Sequence, residues 1–328
     1  MPGLASPAPD TRVVGDPCVV WDDEATLWRM FLFHDPPGHG QAVARTSAGS
    51  GPFRWDFLGP IPFVNPSALL GGATHKPFVV MRPDGANHAA KVDGRYWLLT
   101  VSFSGGHKVI QRAFAKRLAG PWTLEEGPLL DLGDTDAFDG NHLDAVSGYY
   151  FESQQEFHYH YMAYPLAPQR PGHSPFGSAQ ALAVQGRQEP RPRKLGLILP
   201  PSTLPGHWAS GWVGGLQIMP GAQHRWIGLA NASPSPPHPS HPGNDKEEPA
   251  PSLGGFAFSD AALPSSGWQW LDQPIERLND LPRQALEWGE CCNLWRHHLL
   301  AIPGQKPLLL YNSGVYGKER LYAKEALP

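Results

Sequence analysis

The segment from Gly15 to Asp56 holds four short strand-like stretches in a row, and the same pattern returns down the chain. Val19 to Trp21 is an apolar run between Gly15-Asp16-Pro17 and Asp22-Asp23-Glu24. Trp28 to Phe33 is aromatic and apolar, Gln41 to Thr46 alternates polar with small apolar residues, and Phe53-Arg54-Trp55-Asp56-Phe57 closes the set. Short runs of this kind between Gly, Pro and Asp clusters read as strands joined by turns. One antiparallel meander cannot bury both faces alone, so a chain that starts this way needs copies of it.

Four degenerate copies follow. The second runs from His75 through Tyr96 to Leu99 and Lys108 to Ala113, ending at Gly120-Pro121-Trp122. The third takes His142 to Val146, Phe157 to Tyr164, Ala179 to Val184 and Gly196 to Leu199. The fourth takes Trp212 to Leu216, Arg225 to Asn231, Gly255 to Ser259 and Trp268 to Leu271. The fifth, with Glu290 to Ile302, Pro307 to Asn312 and Arg320 to Lys324, is one strand short. The repeat predicts one all-β domain, a five-bladed β-propeller of four-stranded antiparallel blades at about 15–58, 75–130, 139–200, 211–272 and 287–328. A strand from the N-terminus, Thr11 to Val14, is expected to complete the last sheet and close the ring, leaving no bare edge.

Composition agrees. Charged residues make up 17% of the 328, against roughly 25% in ordinary domains, while 36 Gly and 37 Pro suit tight turns rather than helices. Net charge is −4, which gives no basic footprint for nucleic acid. No apolar run reaches the roughly 18 residues of a membrane span. The opening Met1-Pro2-Gly3-Leu4-Ala5-Ser6-Pro7 lacks the pattern of a secretory signal, so a cytoplasmic protein is expected. Cys18, Cys291 and Cys292 do not make a disulfide framework or a zinc site. No cofactor or metal is expected. The partners expected are small-molecule substrates.

In a propeller the innermost strands begin around a shared channel mouth. At those five starts stand Asp16, His75-Lys76, Asp139-Gly140-Asn141-His142-Leu143-Asp144, Trp212 to Gln217, and Glu287-Trp288-Gly289-Glu290-Cys291-Cys292-Asn293. Each has a structural alternative. Asp16 before Pro17 also suits a turn, and His75 and His142 also suit satisfied core histidines. Their recurrence at equivalent positions favours a site. A carboxylate such as Glu290 heading an apolar strand is costly unless paired or used. Cys291 and Cys292 read as small buried apolar residues. The candidate catalytic groups are therefore Asp16, His142, Asp144 and Glu290, with His75, Lys76, Asp139, Trp212, Gln217, Trp288 and Asn293 as substrate contacts. Pro165 to Gly177 reads as a lid, and Ser233 to Ser252 as low-complexity trim.

Gly15-Asp16-Pro17, Gly94-Arg95-Tyr96-Trp97, Gly120-Pro121-Trp122 and Leu143-Asp144 resemble the five-bladed glycosidases of the arabinanase, β-xylosidase and invertase superfamily. The resemblance implies Asp16 as base or nucleophile and Asp144 as the group that tunes a pKa or binds substrate. It also implies a fourth-blade Glu as general acid, where this chain has Trp212-Val213-Gly214-Gly215. Glu290 is similar to the invertase-type acid in local sequence but lies one blade late. With no Glu in the fourth blade, no turnover of aryl arabinofuranosides, xylosides or fructosides is expected. A second resemblance runs through Val13 to Asp22, Trp28 to Phe33 and the Pro36 to Gly40 loop. These stretches are similar to fungal natural-product enzymes that act as hetero-Diels–Alderases on tropolonic sesquiterpenoids. That resemblance implies dehydration to an ortho-quinone methide by a His/Asp pair, then coupling to a humulene-type alkene in an apolar cleft walled by Trp212 and Trp288. It is the preferred expectation at this point, ahead of glycoside hydrolysis and of a propeller that only binds.

Overall fold

The computed structural model describes residues 13–35, 38–44, 54–134, 136–165, 178–233, 252–275, 293–302, 305–314 and 320–325. These residues form five antiparallel sheets. The first blade is β1 (Val13–Asp22), β2 (Leu27–Asp35), β3 (Gly40–Ala44) and β4 (Trp55–Gly59), and the second is β5 (Thr74–Val79), β6 (Tyr96–Ser104), β7 (His107–Ala115) and β8 (Thr123–Leu124). The third is β9 (His142–Phe151), β10 (Glu156–Tyr164), β11 (Ala179–Gly186) and β12 (Arg193–Leu199). The fourth is β13 (Trp212–Pro220), β14 (Trp226–Ser233), β15 (Leu253–Ser259) and β16 (Gln269–Trp270), and the fifth is β17 (Asn293–Leu300), β18 (Leu308–Gly314) and β19 (Arg320–Glu325). The all-β five-bladed propeller is as expected. Apart from two 3-10 turns at Pro66–Ala68 and Leu70–Gly72, the described residues contain no helix.

The inner strands β1, β5, β9, β13 and β17 touch in that order, and β17 returns to β1. That closes the ring. Inner strands lie between neighbours on both sides, so β9 is buried along nearly all of its length. Outer strands meet water on one side, and β12 alternates exposed with half-buried residues over Arg193 to Leu197. The closing contact is apolar: Val14, Val19, Met30, Leu32 and Ala42 of the first blade pack on Leu300, Leu308, Leu310 and Leu321 of the fifth. The expected closing strand is placed differently in its second half. Val13 and Val14 open β1 and pair with Asp35 and His34 of β2, while Thr11 and Arg12 lie outside the described residues.

One irregularity recurs in all five blades. On each inner strand a bulge sets three residue steps against two on the second strand, at Gly15/Cys18, His75/Phe78, Asp144/Ser147, Val213/Leu216 and Trp295/His298. The first bulged residues are Asp16, Lys76, Ala145, Gly214 and Arg296. Four of them have a left-handed backbone, with φ of 49°, 54°, 44° and 49° at Asp16, Lys76, Ala145 and Arg296. A bulge bends its strand and re-aims the side chain it carries. Repeated five times, it sets one residue from each blade around a common axis.

Candidate functional site

Three of those five positions carry charge: Asp16, Lys76 and Arg296. The other two, Ala145 and Gly214, carry almost no side chain. The Arg296 guanidinium reaches from the fifth blade toward the first, with Nε 4.0 Å from Asp16 Oδ1, and donates from Nη2 to the Val146 carbonyl of the third at 3.4 Å. It passes the fourth blade so closely that a Cβ on Gly215 would stand 2.5 Å from Nη1. Gly215 is therefore what lets the arginine lie across the channel. The Asp16 backbone N–H donates to Asn312 Oδ1 at 3.3 Å, which ties the first bulge to β18.

Asp144 stands one residue before the third bulge and is the most heavily bonded carboxylate of the group. Lys76 donates to both of its oxygens, at 2.7 and 2.8 Å, Lys108 to Oδ2 at 2.7 Å, and the Ala145 N–H to Oδ1 at 2.7 Å. Burial works to raise its pKa, but Lys108 and Lys76 outweigh burial and hold the carboxyl well below the usual carboxylate range. Asp16 goes the other way. Burial raises it, Lys76 and Arg296 pull it back only in part, and the Asp144 charge adds to the rise. Two carboxyl groups of one mouth are thus pushed apart, which is how a site separates a permanent anion from a group able to exchange a proton.

The histidines are less uniform than their sequence positions suggest. His142 Nδ1 accepts the Lys108 N–H at 3.0 Å, which assigns that ring its proton on Nε2. His107 donates from Nδ1 to the Asn141 carbonyl at 2.8 Å, and the two rings lie 5.4 Å apart. His75 stacks on Phe103 at 5.5 Å, and burial followed by the Lys76 charge pushes its pKa down to about 3. That places it on the neutral side near pH 7. Burial also lowers the Lys76 ammonium from its ordinary value, and Asp144 pulls it back up.

The structure brings Asp16, His75, Lys76, His142 and Asp144 together. Asp139 instead turns to the outer strands of its own blade, where its Oδ2 accepts from Lys194 at 2.6 Å and Tyr161 at 3.0 Å. Gln217 clamps β13 to β17, taking the Leu299 N–H at 2.7 Å and donating to the Leu299 carbonyl at 3.0 Å. Trp212 is buried against Ala145 and Met162, with Tyr164 beside them. Trp288 and Glu290 lie outside the described residues, and of Asn293 only the backbone in β17 is described. The expected lid, Pro165 to Gly177, and the low-complexity stretch, Ser233 to Ser252, also lie outside them apart from Pro165, Ser233 and Ser252. Among the described residues no group of three His, Cys, Asp or Glu side chains is placed to hold a metal ion, and no helix is long and apolar enough to cross a membrane.

Two site residues went unread in the sequence, Lys108 and Arg296. Lys108 belongs to β7, the third strand of its blade, where inner-strand periodicity says nothing. Arg296 had a weaker signal: Asp16-Pro17-Cys18 and Lys76-Pro77-Phe78 each put a charged residue two places before a buried apolar one, and Arg296-His297-His298 keeps the spacing with a buried histidine in the apolar place.

No family model and no curated protein matches this sequence. Solved structures do match. The chain shares its fold with glycoside hydrolases. One glycoside hydrolase superposes with a TM-score of 0.71 at 13% identity, covering 99% of this chain and 90% of its own. A thermostable family-43 glycoside hydrolase gives 0.65 at 13%, over 98% and 91%, and the endo-arabinase from Bacteroides thetaiotaomicron gives 0.62 at 11%, over 96% and 94%. These matches overturn the preferred expectation of a hetero-Diels–Alderase acting on tropolone and terpene partners. The physical reason lies in the mouth itself. An apolar cleft was expected there, and it holds five charged groups in close contact instead.

Proposed function

We propose that the channel mouth is a glycoside-hydrolysing site. Asp16 serves as base or nucleophile, Asp144 as the fixed anion that sets the local field, and Glu290 as proton donor. The observation that carries this is the convergence of two buried carboxyls, Asp16 and Asp144, on the inner strands of blades one and three, with Lys76, Lys108 and Arg296 against them. Bond cleavage in a glycoside needs one carboxyl group that donates a proton and one that acts as base or nucleophile, here Glu290 and Asp16, with Asp144 serving neither part. Asp16, with the charges of Lys76 and Arg296 competing against burial, is the one able to change state. Asp144 has three donors on its two oxygens and is held as a charge. The solved structures of like fold support this reading as glycoside hydrolases.

One observation favours a second reading, a propeller that binds a glycan without cleaving it. The fourth inner strand carries Val213, Gly214 and Gly215, and no carboxylate among the described residues takes the donor's place beside Asp16 and Asp144. The same experiment separates the two. Wild type, Asp16→Asn and Glu290→Gln are assayed on aryl arabinofuranosides, xylosides, fructosides and uronides, with binding measured in parallel. Turnover that both substitutions cut supports hydrolysis by these groups. Binding without turnover supports the second reading.

A further inference from the structure

Alternate residues of β18 share one face, and Leu308, Leu310 and Asn312 stand on it in a row. The two leucines lie in the apolar seam that closes the ring against Val14 and Val19 of the first blade. Asn312 is the third of the row, 4% exposed, where the pattern calls for another apolar residue. A buried amide in such a place is costly unless it is hydrogen-bonded. Its Oδ1 accepts the Asp16 N–H at 3.3 Å. That N–H belongs to the residue the first bulge inserts between the Gly15–Phe33 and Cys18–Phe31 pairs, and the strand ladder leaves it without a partner. Asp16 also holds a left-handed backbone, φ 49°, which a non-glycine residue keeps only when its surroundings impose it. Gly15 completes the arrangement: a Cβ there would stand 2.8 Å from Asn312 Cβ and 2.7 Å from its Nδ2. The fourth blade repeats the device with Asn231, whose Oδ1 accepts the Gly215 N–H at 2.9 Å and with which a Cβ on Gly214 would collide. That bulge carries glycines in place of a charged residue.

We propose that Asn312 is the positioning residue of Asp16: its amide oxygen pins the first bulge and so aims the Asp16 carboxyl into the channel mouth. This rests on the reading of Asp16 as base or nucleophile and adds to it the group that sets its place. Lys76 and Arg296 act on the carboxyl through their charge, whereas Asn312 acts on the backbone that carries it. A base or nucleophile has to be held in line with the bond it attacks, and a misplacement of about 1 Å costs on the order of 10²-fold in rate. Because Asn312 belongs to the fifth blade and Asp16 to the first, closing the ring is also what sets the carboxyl.

The test follows the Asp16 amide by hydrogen exchange and the Asp16 carboxyl by an NMR titration, in wild type, Asn312→Ala and Asn312→Asp. Neither readout needs turnover. Asn312→Ala should speed exchange of the Asp16 N–H about tenfold, the effect of one lost hydrogen bond, and bring the carboxyl titration down toward the ordinary Asp range as water reaches it. Asn312→Asp keeps an acceptor for the N–H and adds a charge, so exchange should stay near wild type while the titration moves up. General loosening of the seam does not produce opposite movements of this kind. On any aryl glycoside that the wild type hydrolyses, Asn312→Ala should lower kcat about tenfold or more with KM little changed, and Asn312→Asp should move the acid-side limb of the pH profile upward. If Asn312→Ala does not fold, Gly15→Ala, which drives Asn312 away from the bulge, is read in the same way. Wild-type exchange and titration of Asp16 in Asn312→Ala overturn the proposal, as do shifts of the same sign in both variants or an unchanged kcat. No hydrolysis of any aryl glycoside by the wild type removes the glycoside reading alone, since exchange and titration still decide whether Asn312 holds Asp16.

Discussion

At the level of single residues, Asp16 and Asp144 have opposite effects on stability as pH changes. Asp144 has a folded-state pKa well below its ordinary value, so the stability it contributes is complete above about pH 4 and is lost as pH falls through the folded value. Asp16 has a raised folded-state pKa, so its contribution is complete at acid pH and is lost as pH rises through the folded value. Asp16→Asn is therefore expected to raise the urea midpoint at pH 7 and to leave it near wild type at about pH 3. An equal loss at both pH values would contradict the placement of that carboxyl. Removing a cation from Asp144 acts through burial. Lys76→Met leaves a 2% exposed carboxylate with one lysine instead of two, and it should cost about 3 kcal/mol in urea denaturation. An unchanged midpoint would mean that Lys76 does not hold Asp144 in solution. Neither effect is visible in the sequence, because Lys108 and Asp144 are 36 residues apart and meet only when blades two and three pack.

Among the strands and bulges, the limits of what the sequence tells have a clear cause. The strand quartets were legible because turn residues punctuate short apolar runs, and Asp16, Lys76 and Asp144 were legible because they head inner strands. The bulges were not. A bulge inserts one residue without altering the apolar pattern enough to show, yet it decides that Asp16, Lys76 and Arg296 share an axis. Asp139, three residues ahead of β9 and outside the bulge, turns away to Lys194 and Tyr161. The fourth bulge tests this most sharply. Gly215→Ala sets a methyl where Arg296 Nη1 now lies, and the arginine must withdraw from Asp16. The prediction is a folded protein whose acid-side limb in a pH–rate profile moves upward, since a cation that lowers the Asp16 pKa has been pulled back. A pH profile like that of the wild type would show that Arg296 does not act on Asp16.

For the whole molecule, the ring is closed by side chains. Leu300, Leu308 and Leu310 of the fifth blade fill the space against Val14, Val19 and Met30 of the first, and His298 Nε2 accepts the Val19 N–H at 3.2 Å. Leu310→Ala opens a cavity at that seam and should cost about 3 kcal/mol, with unfolding still a single transition because every blade leans on its neighbours. A separate early transition would show the fifth blade to be an independent unit. The closed ring is also what makes the mouth, since its charged groups come from blades one, two, three and five. Hydrolysis of a panel of aryl glycosides by wild type and by Asp16→Asn tests the central claim most directly. The account predicts measurable turnover in the wild type, reduced at least about 10²-fold by the substitution with the fold intact. Turnover that survives Asp16→Asn unchanged, or no turnover of any aryl glycoside, would contradict it.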